Sequence, residues 1–432
     1  MFLVAAGSNA QGQLATGDQE DAHTFTHCRF AGHAPGQLPP GTQKVCNLAC
    51  GANHTLLLLE RKHDAASGTR TELWGCGDGS KHQLGPAVAE FAPVFVPLDL
   101  ELQNLGLEDY TIASVAACWE TSFVVLTHPT QNAVVLSRGS DDYGDLGIGG
   151  TQGTDARRIH RVAFSADCLG TTDPVRVRSV SLATGPHHAI ALLAVAQADG
   201  VHTRVAGWGA ARHGQLGALA DARTGRPLPA VAAPHPVALP DAHTPPRAIA
   251  LGNQHSVFLC GGRAIGIGAG RRGQLRGLEE VRDVAAVGCT WNGTYVVSRG
   301  SGTCAVLSLG AAHKGQLGRR VPADTADAAL AGGPAPGRVE FPFAADTREL
   351  IKLACGSEHV LCLFSVRDVP DDSATSLQHE VWAWGWNEHG TLGDGTTEDR
   401  GLPVKVWPPD EHARRAVDIF AGCGNSWIVL ES

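Results

Sequence analysis

An all-β fold, a seven-bladed β-propeller, is predicted by three observations. Two short segments alternate along the whole chain, seven copies of each. Glycine is in excess, with 53 in 432 residues against a usual share of ~7%. The apolar runs are short, bounded by turn residues and without a sustained helical period, so they read as strands.

The first segment is an apolar run, a small-residue turn and a second apolar run, as in Ala49-Cys50-Gly51-Ala52-Asn53-His54. Its anchors fall at Gly51, Cys118, Gly185, Gly252, Gly288, Gly356 and Cys423, so five of the six spacings are 67 or 68 residues. The second is a strand ending in glycine, a polar turn, then Gly-Gln-Leu-Gly or a variant. Its copies centre on Leu14, Leu84, Leu146, Leu216, Leu275, Leu317 and Leu392. Together they make seven four-stranded meanders, the content of a propeller. The chain starts on a segment of the second kind, Phe2–Gly7, and stops on one of the first, Val417–Leu430. The complementary halves predict a ring closed by N- and C-terminal strands sharing one blade, which removes open sheet edges. Length alone suggests about three domains. The repeat replaces that with one propeller spanning 1–432.

Irregularities are local. Only 20 residues separate Gly268 from Gly288, so the fifth unit should have a reduced outer strand. Surface insertions are expected near 150–174, 218–247, 319–348 and 367–379.

The net charge of −9 argues against direct nucleic-acid binding through a basic surface. No apolar run approaches a membrane span. Twelve scattered cysteines read as reduced thiols used for packing. No metal site is expected, because Cys46 and Cys50 share one strand and lack a partnering Cys pair. Gly268–Gly273 fits Gly-x-Gly-x-x-Gly, but those glycines belong to the repeat and no helix follows, so no dinucleotide site is expected. No nucleophile–base motif stands out. The chemistry is therefore expected to be non-enzymatic, with no cofactor.

The alternating segments resemble the repeats of the regulator of chromosome condensation family, from Phe2 to Leu430. Details resemble its fungal alpha-tubulin suppressor group, also called the killer-toxin-insensitivity protein thirteen group. These are Gly7–Asp21, the Glu388-His389-Gly390 turn and Ala421–Leu430. The Glu-His-Gly turn is shared with the animal secretion-regulating exchange-factor homologues. The resemblance implies a seven-bladed adaptor of cytoplasm and nucleus, monomeric by itself. It would bind a small zinc-binding electron carrier of diphthamide synthesis and support Elongator-dependent modification of the tRNA wobble uridine. The alternative it implies is a guanine-nucleotide exchange factor for a Ran-type small GTPase.

In an antiparallel meander, the turns between first and second strands and between third and fourth lie at one end. That face is the candidate partner surface. The last residue of the first turn (His54, His188, His255, His359) reads as structural, bonding backbone and packing between blades. The residue before it varies, and function can be written there. For the adaptor, the contact set is Trp386, Glu388, His389, Trp427, Asn425, Asn53, Trp119 and Glu120. For the exchange factor, Glu120, His187 and Glu358 matter most.

Overall fold

The apolar runs pair with their sequence neighbours as antiparallel meanders, and the meanders follow one another round a ring. The computed structural model describes all residues except 63–67, 87, 89, 151–157, 241, 301–303, 322–334, 367–377, 411–412 and 432. The expected insertion at 367–379 lies almost wholly outside the described residues. Blades are numbered by the order of their third strands. Blade 1 joins Ala416–Ala421 and Asn425–Leu430 to Phe2–Gly7 and Ala22–His27. Phe2 pairs with Leu430 and Gly7 with Asn425, so both ends of the sequence share this blade, as expected.

Blade 2 is Thr42–Cys50, His54–Lys62, Thr69–Asp78 and Phe91–Pro97. Blade 3 is Thr111–Ala117, Thr121–Thr127, Val134–Gly139 and His160–Val162. Blade 4 is Arg176–Thr184, His188–Gln197, Gly200–Ala210 and Ala230–Pro236. Blade 5 has three strands, Pro246–Leu251, His255–Cys260 and Arg263–Gly268, followed by a 3-10 turn at Leu278–Glu280. Blade 6 is Val284–Cys289, Gly293–Ser298, Ala305–Gly310 and Gly337–Arg338. Blade 7 is Arg348–Cys355, His359–Val366, His379–Gly385 and Arg400–Trp407. Three of the segments read as insertions thus carry outer strands, at His160–Val162, Ala230–Pro236 and Gly337–Arg338. Their Ala, Pro and His content hides them, because an outer strand needs only one paired edge.

The second strands carry the core. Leu56–Leu59, Phe123–Leu126, Val257–Cys260, Val360–Leu363 and Trp427–Leu430 are buried end to end. Apolar side chains of adjacent blades interdigitate there and form the inter-blade clusters. The leucines of the Gly-Gln-Leu-Gly segments are plugs, with Leu14, Leu146 and Leu392 fully buried. Gln13, Gln83, Gln215, Gln274 and Gln316 close their own turns by accepting the N–H two residues back.

The glycine ending each third strand has a physical cause. Gly7, Gly77, Gly139, Gly209, Gly268, Gly310 and Gly385 all sit at φ between 91° and 115°. An added Cβ would lie 2.2–2.5 Å from the carbonyl oxygen of the residue just before the second strand. That carbonyl accepts the N–H of the residue after the glycine in every blade, from Ser8→Gly424 to Trp386→Glu358. Two turns at one end of each blade are thereby joined. Replacing Gly209 by Ala is expected to cost about 2 kcal/mol or more, since both the dihedral and the contact oppose it. Urea denaturation at constant m-value measures it, and a change under about 0.5 kcal/mol would refute this reading of the turn.

Candidate functional site

Four joints between blades are closed by the histidine that starts a second strand. Nε2 of His54 meets Ser122 Oγ at 2.9 Å, His188 meets Ser256 Oγ at 3.2 Å, and His255 meets Thr294 Oγ1 at 3.1 Å. His359 Nε2 donates to the Asn425 carbonyl at 3.2 Å. All four rings are buried. Each also explains the glycine three residues earlier: a Cβ at Gly51, Gly185, Gly252 or Gly356 would lie 2.0–2.6 Å from the imidazole Cε1. Where Thr121 or Gly293 replaces the histidine, the glycine gives way to Cys118 or Thr290, whereas Asn425 keeps Gly422, whose Cβ would lie 2.4 Å from Asn425 Oδ1.

This alignment shifts two anchors. The second strands of blades 6 and 1 begin at Gly293 and Asn425, so the glycine slots are Thr290 and Gly422 rather than Gly288 and Cys423. The variable slots of these two blades, just before the second strand, are consequently Asn292 and Gly424.

Backbone bonds link the turns laterally. Ala52 N–H donates to Trp119 O and Trp119 N–H to Pro186 O. Asn253 donates to Trp291, Trp291 to Ser357, and Ser357 to Gly422. Pro186 has no N–H with which to continue the chain of bonds toward blade 5. The turns form a fixed collar around the axial cavity of about 270 Å³. Its lining includes Cys50, Cys118, Cys289, Cys355 and Cys423 and no charged side chain. Burial pushes Cys50, Cys289 and Cys423 up to about 12, so these are neutral thiols. Among the described residues, no three His, Cys, Asp or Glu side chains gather closely enough to hold a metal ion. No described helix is long and apolar enough to cross a membrane.

Above the cavity the structure assembles an aromatic patch from three blades. Trp119 is 36% exposed and its ring lies 5.9 Å from that of Trp291, which belongs to blade 6. Trp119 also lies 5.8 Å from His187, and His187 lies 4.6 Å from Tyr143, itself 45% exposed. His187 Nδ1 is 3.7 Å from Asp145, a buried acid whose carboxyl is raised by burial. Glu120 is part-exposed beside Trp119. Glu358 is half-buried and accepts hydrogen bonds from Asn292 and from Gln316 Nε2 at 3.1 Å. Burial pushes its carboxyl up. The contact thus runs between the second-type turn of one blade and the first-type turn of the next, as it does for Gln13 and Asn53.

The adaptor set does not come together. Trp427 is 0% exposed and packs against Phe95, its Nε1 donating to Asn425 Oδ1. Asn425 is buried with it. Both are corrected to blade-packing residues, because they lie on the second strand of blade 1 and face the next blade. Trp386, Glu388 and His389 do form a surface group. Trp386 Nε1 donates to Glu388, its ring meets His389 edge-on, and His389 Nδ1 lies 2.7 Å from Asp21. Asn53 is exposed on its own turn. Two residues of the aromatic patch escaped the sequence reading. Tyr143 is an aromatic within a polar turn, and Asp145 stands where other turns have Gln before the leucine. Both departures from the repeat were legible signals.

The ring and its turn collar define a seven-bladed propeller whose turns gather at one end around the axial cavity. The model described as the regulator of chromosome condensation (RCC1) repeat matches residues 378–429. The chain is 27% identical to the mouse secretion-regulating guanine nucleotide exchange factor, over 99% of this chain and 83% of that protein. It is 26% identical to the ultraviolet-B receptor UVR8 of Arabidopsis thaliana, over 100% of this chain and 71% of the receptor. The crystal structure of human WBSCR16 matches with a TM-score of 0.71 at 19% identity, covering 100% of both chains. Prp20p of Saccharomyces cerevisiae matches at 0.67 and 17%, covering 100% of this chain and 92% of that one. Residues 378–429 thus carry an RCC1 repeat, and the chain as a whole has the fold of RCC1-type propellers, as the alternating segments implied.

The buried histidines make stability depend on pH. Desolvation lowers His54, His255 and His359 to about 4 and His188 to about 3, against 6.5 in an unfolded chain. Below pH 6.5 the unfolded chain takes up protons that the folded chain refuses, so stability falls as pH drops toward 4. Each histidine adds up to about 1.4 kcal/mol per pH unit to that slope. Urea titrations between pH 7 and 5.5 measure it, with His255→Gln expected to flatten the profile. A profile unchanged by that substitution would show that His255 is not a buried neutral group.

Proposed function

We propose that this propeller binds a small GTPase through the patch of Trp119, Tyr143 and His187 and speeds release of its guanine nucleotide. The observation that carries the reading is the patch itself: two exposed aromatics held by one imidazole, next to Glu120, on a collar fixed by backbone bonds. Interface energy concentrates on such aromatic anchors. Exchange needs no covalent chemistry. A partner that binds the nucleotide-free GTPase more tightly than the nucleotide-bound form shifts the population toward the empty state. Rigid turns suit that task, because little ordering entropy is lost on docking. Glu120 beside Trp119 and Glu358 across the ring on blade 7 are the acids that compete with nucleotide phosphates for the cations of the GTPase, while His187 sits between the two aromatics. Support comes from relatives in mouse and cattle named secretion-regulating guanine nucleotide exchange factors, each matched over nearly all of this chain.

The second reading is an adaptor for a small zinc-binding electron carrier and Elongator. It draws on the separate surface group of Trp386, Glu388 and His389. The names of the relatives favour the exchange factor over it.

Release of a fluorescent guanine nucleotide from a Ran-type GTPase tests the first reading. The wild-type chain is expected to accelerate release at least about tenfold, and Trp119→Ala to lose most of that acceleration. Trp386→Ala should leave it unchanged. No acceleration, combined with capture of a zinc protein that depends on Trp386, would reverse the order of the two readings.

A further inference from the structure

The short fifth unit leaves a gap with a definite register. In the other six blades, the two residues two and three places before the terminal glycine of the third strand pair with an outer strand. These residues are Val4 and Ala5, Trp74 and Gly75, Leu136 and Ser137, Ala206 and Gly207, Leu307 and Ser308, and Trp382 and Ala383. Their counterparts in blade 5 are Ile265 and Gly266, which pair only with the second strand. The carbonyl one place earlier accepts an N–H from the outer segment in four blades, at Leu3, Leu73, Val205 and Val306. At the matching Ala264, no backbone donor is present among the described residues. A cavity of about 310 Å³ is lined by Arg263–Gly266 together with Pro240, Thr244, Leu275, Leu278 and Glu279. The missing strand has therefore left both an unpaired edge and the room beside it.

The charge around the gap is opposite to that of the chain. Arg263 starts the edge strand, and Arg271, Arg272 and Arg276 follow its end, all exposed. Between residues 263 and 283 five arginines face three carboxylates, Glu279, Glu280 and Asp283, in a chain of net charge −9. Arg263 leans on the Glu279 carbonyl at 3.4 Å, and Arg282 on carbonyls of Glu279 and Val281, so neither is consumed by an ion pair with these acids. Arginines at both ends of an edge repel the same edge on a second copy. They attract an extended segment that carries acidic residues.

We propose that the outer edge of Arg263–Gly268 is a docking site for an acidic, extended segment of a partner protein, which adds to blade 5 as its fourth strand. Main-chain bonds at Ala264–Gly266 supply the affinity, and the flanking arginines select for acidic side chains. The strand edge lies on the outer side of blade 5, while Arg271 and Arg272 stand in its second-type turn, and the proposal does not rest on the exchange-factor reading.

The probe is a fluorescein-labelled eight-residue peptide alternating Glu and Val, titrated into the full chain and followed by anisotropy. Saturable binding is expected, with the Lys–Val counterpart at least about tenfold weaker. The Glu–Val peptide methylated on every backbone amide should not bind, since it cannot pair with a strand edge. The triple variant R263E/R271E/R272E should weaken binding about tenfold or more, with its melting temperature recorded beside the wild type. If that variant melts early, added salt on the wild-type chain gives the same comparison, since charge selection is screened. Equal binding of the methylated peptide would overturn the proposal, as would no saturation by about 1 mM. Dimerisation of the chain through this edge in sedimentation would overturn the choice of occupant.

Discussion

Everything on the turn face depends on a dry polar contact at the joints between blades. A propeller has no central core of its own. Each sheet packs only on its two neighbours, so the joints must hold register as well as exclude water. Here an imidazole of one blade meets a hydroxyl or carbonyl of the next, fully buried, at four of the seven joints. Burial keeps the ring neutral, so the contact carries no unpaired charge. The same ring forbids a side chain at the glycine before it, and that turn supplies the carbonyl that seats the glycine of the third strand. One contact thereby sets the shape of both turns on its blade.

The division of labour within the repeat follows from this. Positions committed to the joint cannot vary without loss of packing, and they are silent as to partner. The slot just before the second strand contributes its carbonyl to the scaffold and leaves its side chain free to differ. In this chain that freedom gives Glu120 and His187 on consecutive blades and Glu358 across the ring on blade 7, with Trp119 and Trp291 one place earlier in their repeats. The two tryptophans meet above an uncharged cavity.

The fold was legible because its repeat is written in glycines that have steric reasons to be there. The shared blade could be read from complementary half-repeats, and the three-stranded blade from a shortened spacing. Outer strands at His160–Val162 and Gly337–Arg338 could not, because a strand paired on one edge needs little β-branched or alternating sequence. The site was legible in part. Position within the repeat singled out Trp119, Glu120, His187 and Glu358, but not which of them would meet. Trp427 and Asn425 misled because a turn and the strand leaving it are adjacent in sequence, while burial changes completely within two residues. Tyr143 stood out as an aromatic in a polar turn, but the turn alone does not say that it meets His187 of the neighbouring blade.

The claim that one half of the collar is the partner surface is tested most directly by amide hydrogen exchange on the chain alone and in complex with a nucleotide-free Ran-type GTPase. The account requires new protection at residues 118–121, 141–146 and 185–188, with residues 386–390 unchanged. Protection confined to 386–390, or spread evenly over the collar, would contradict it.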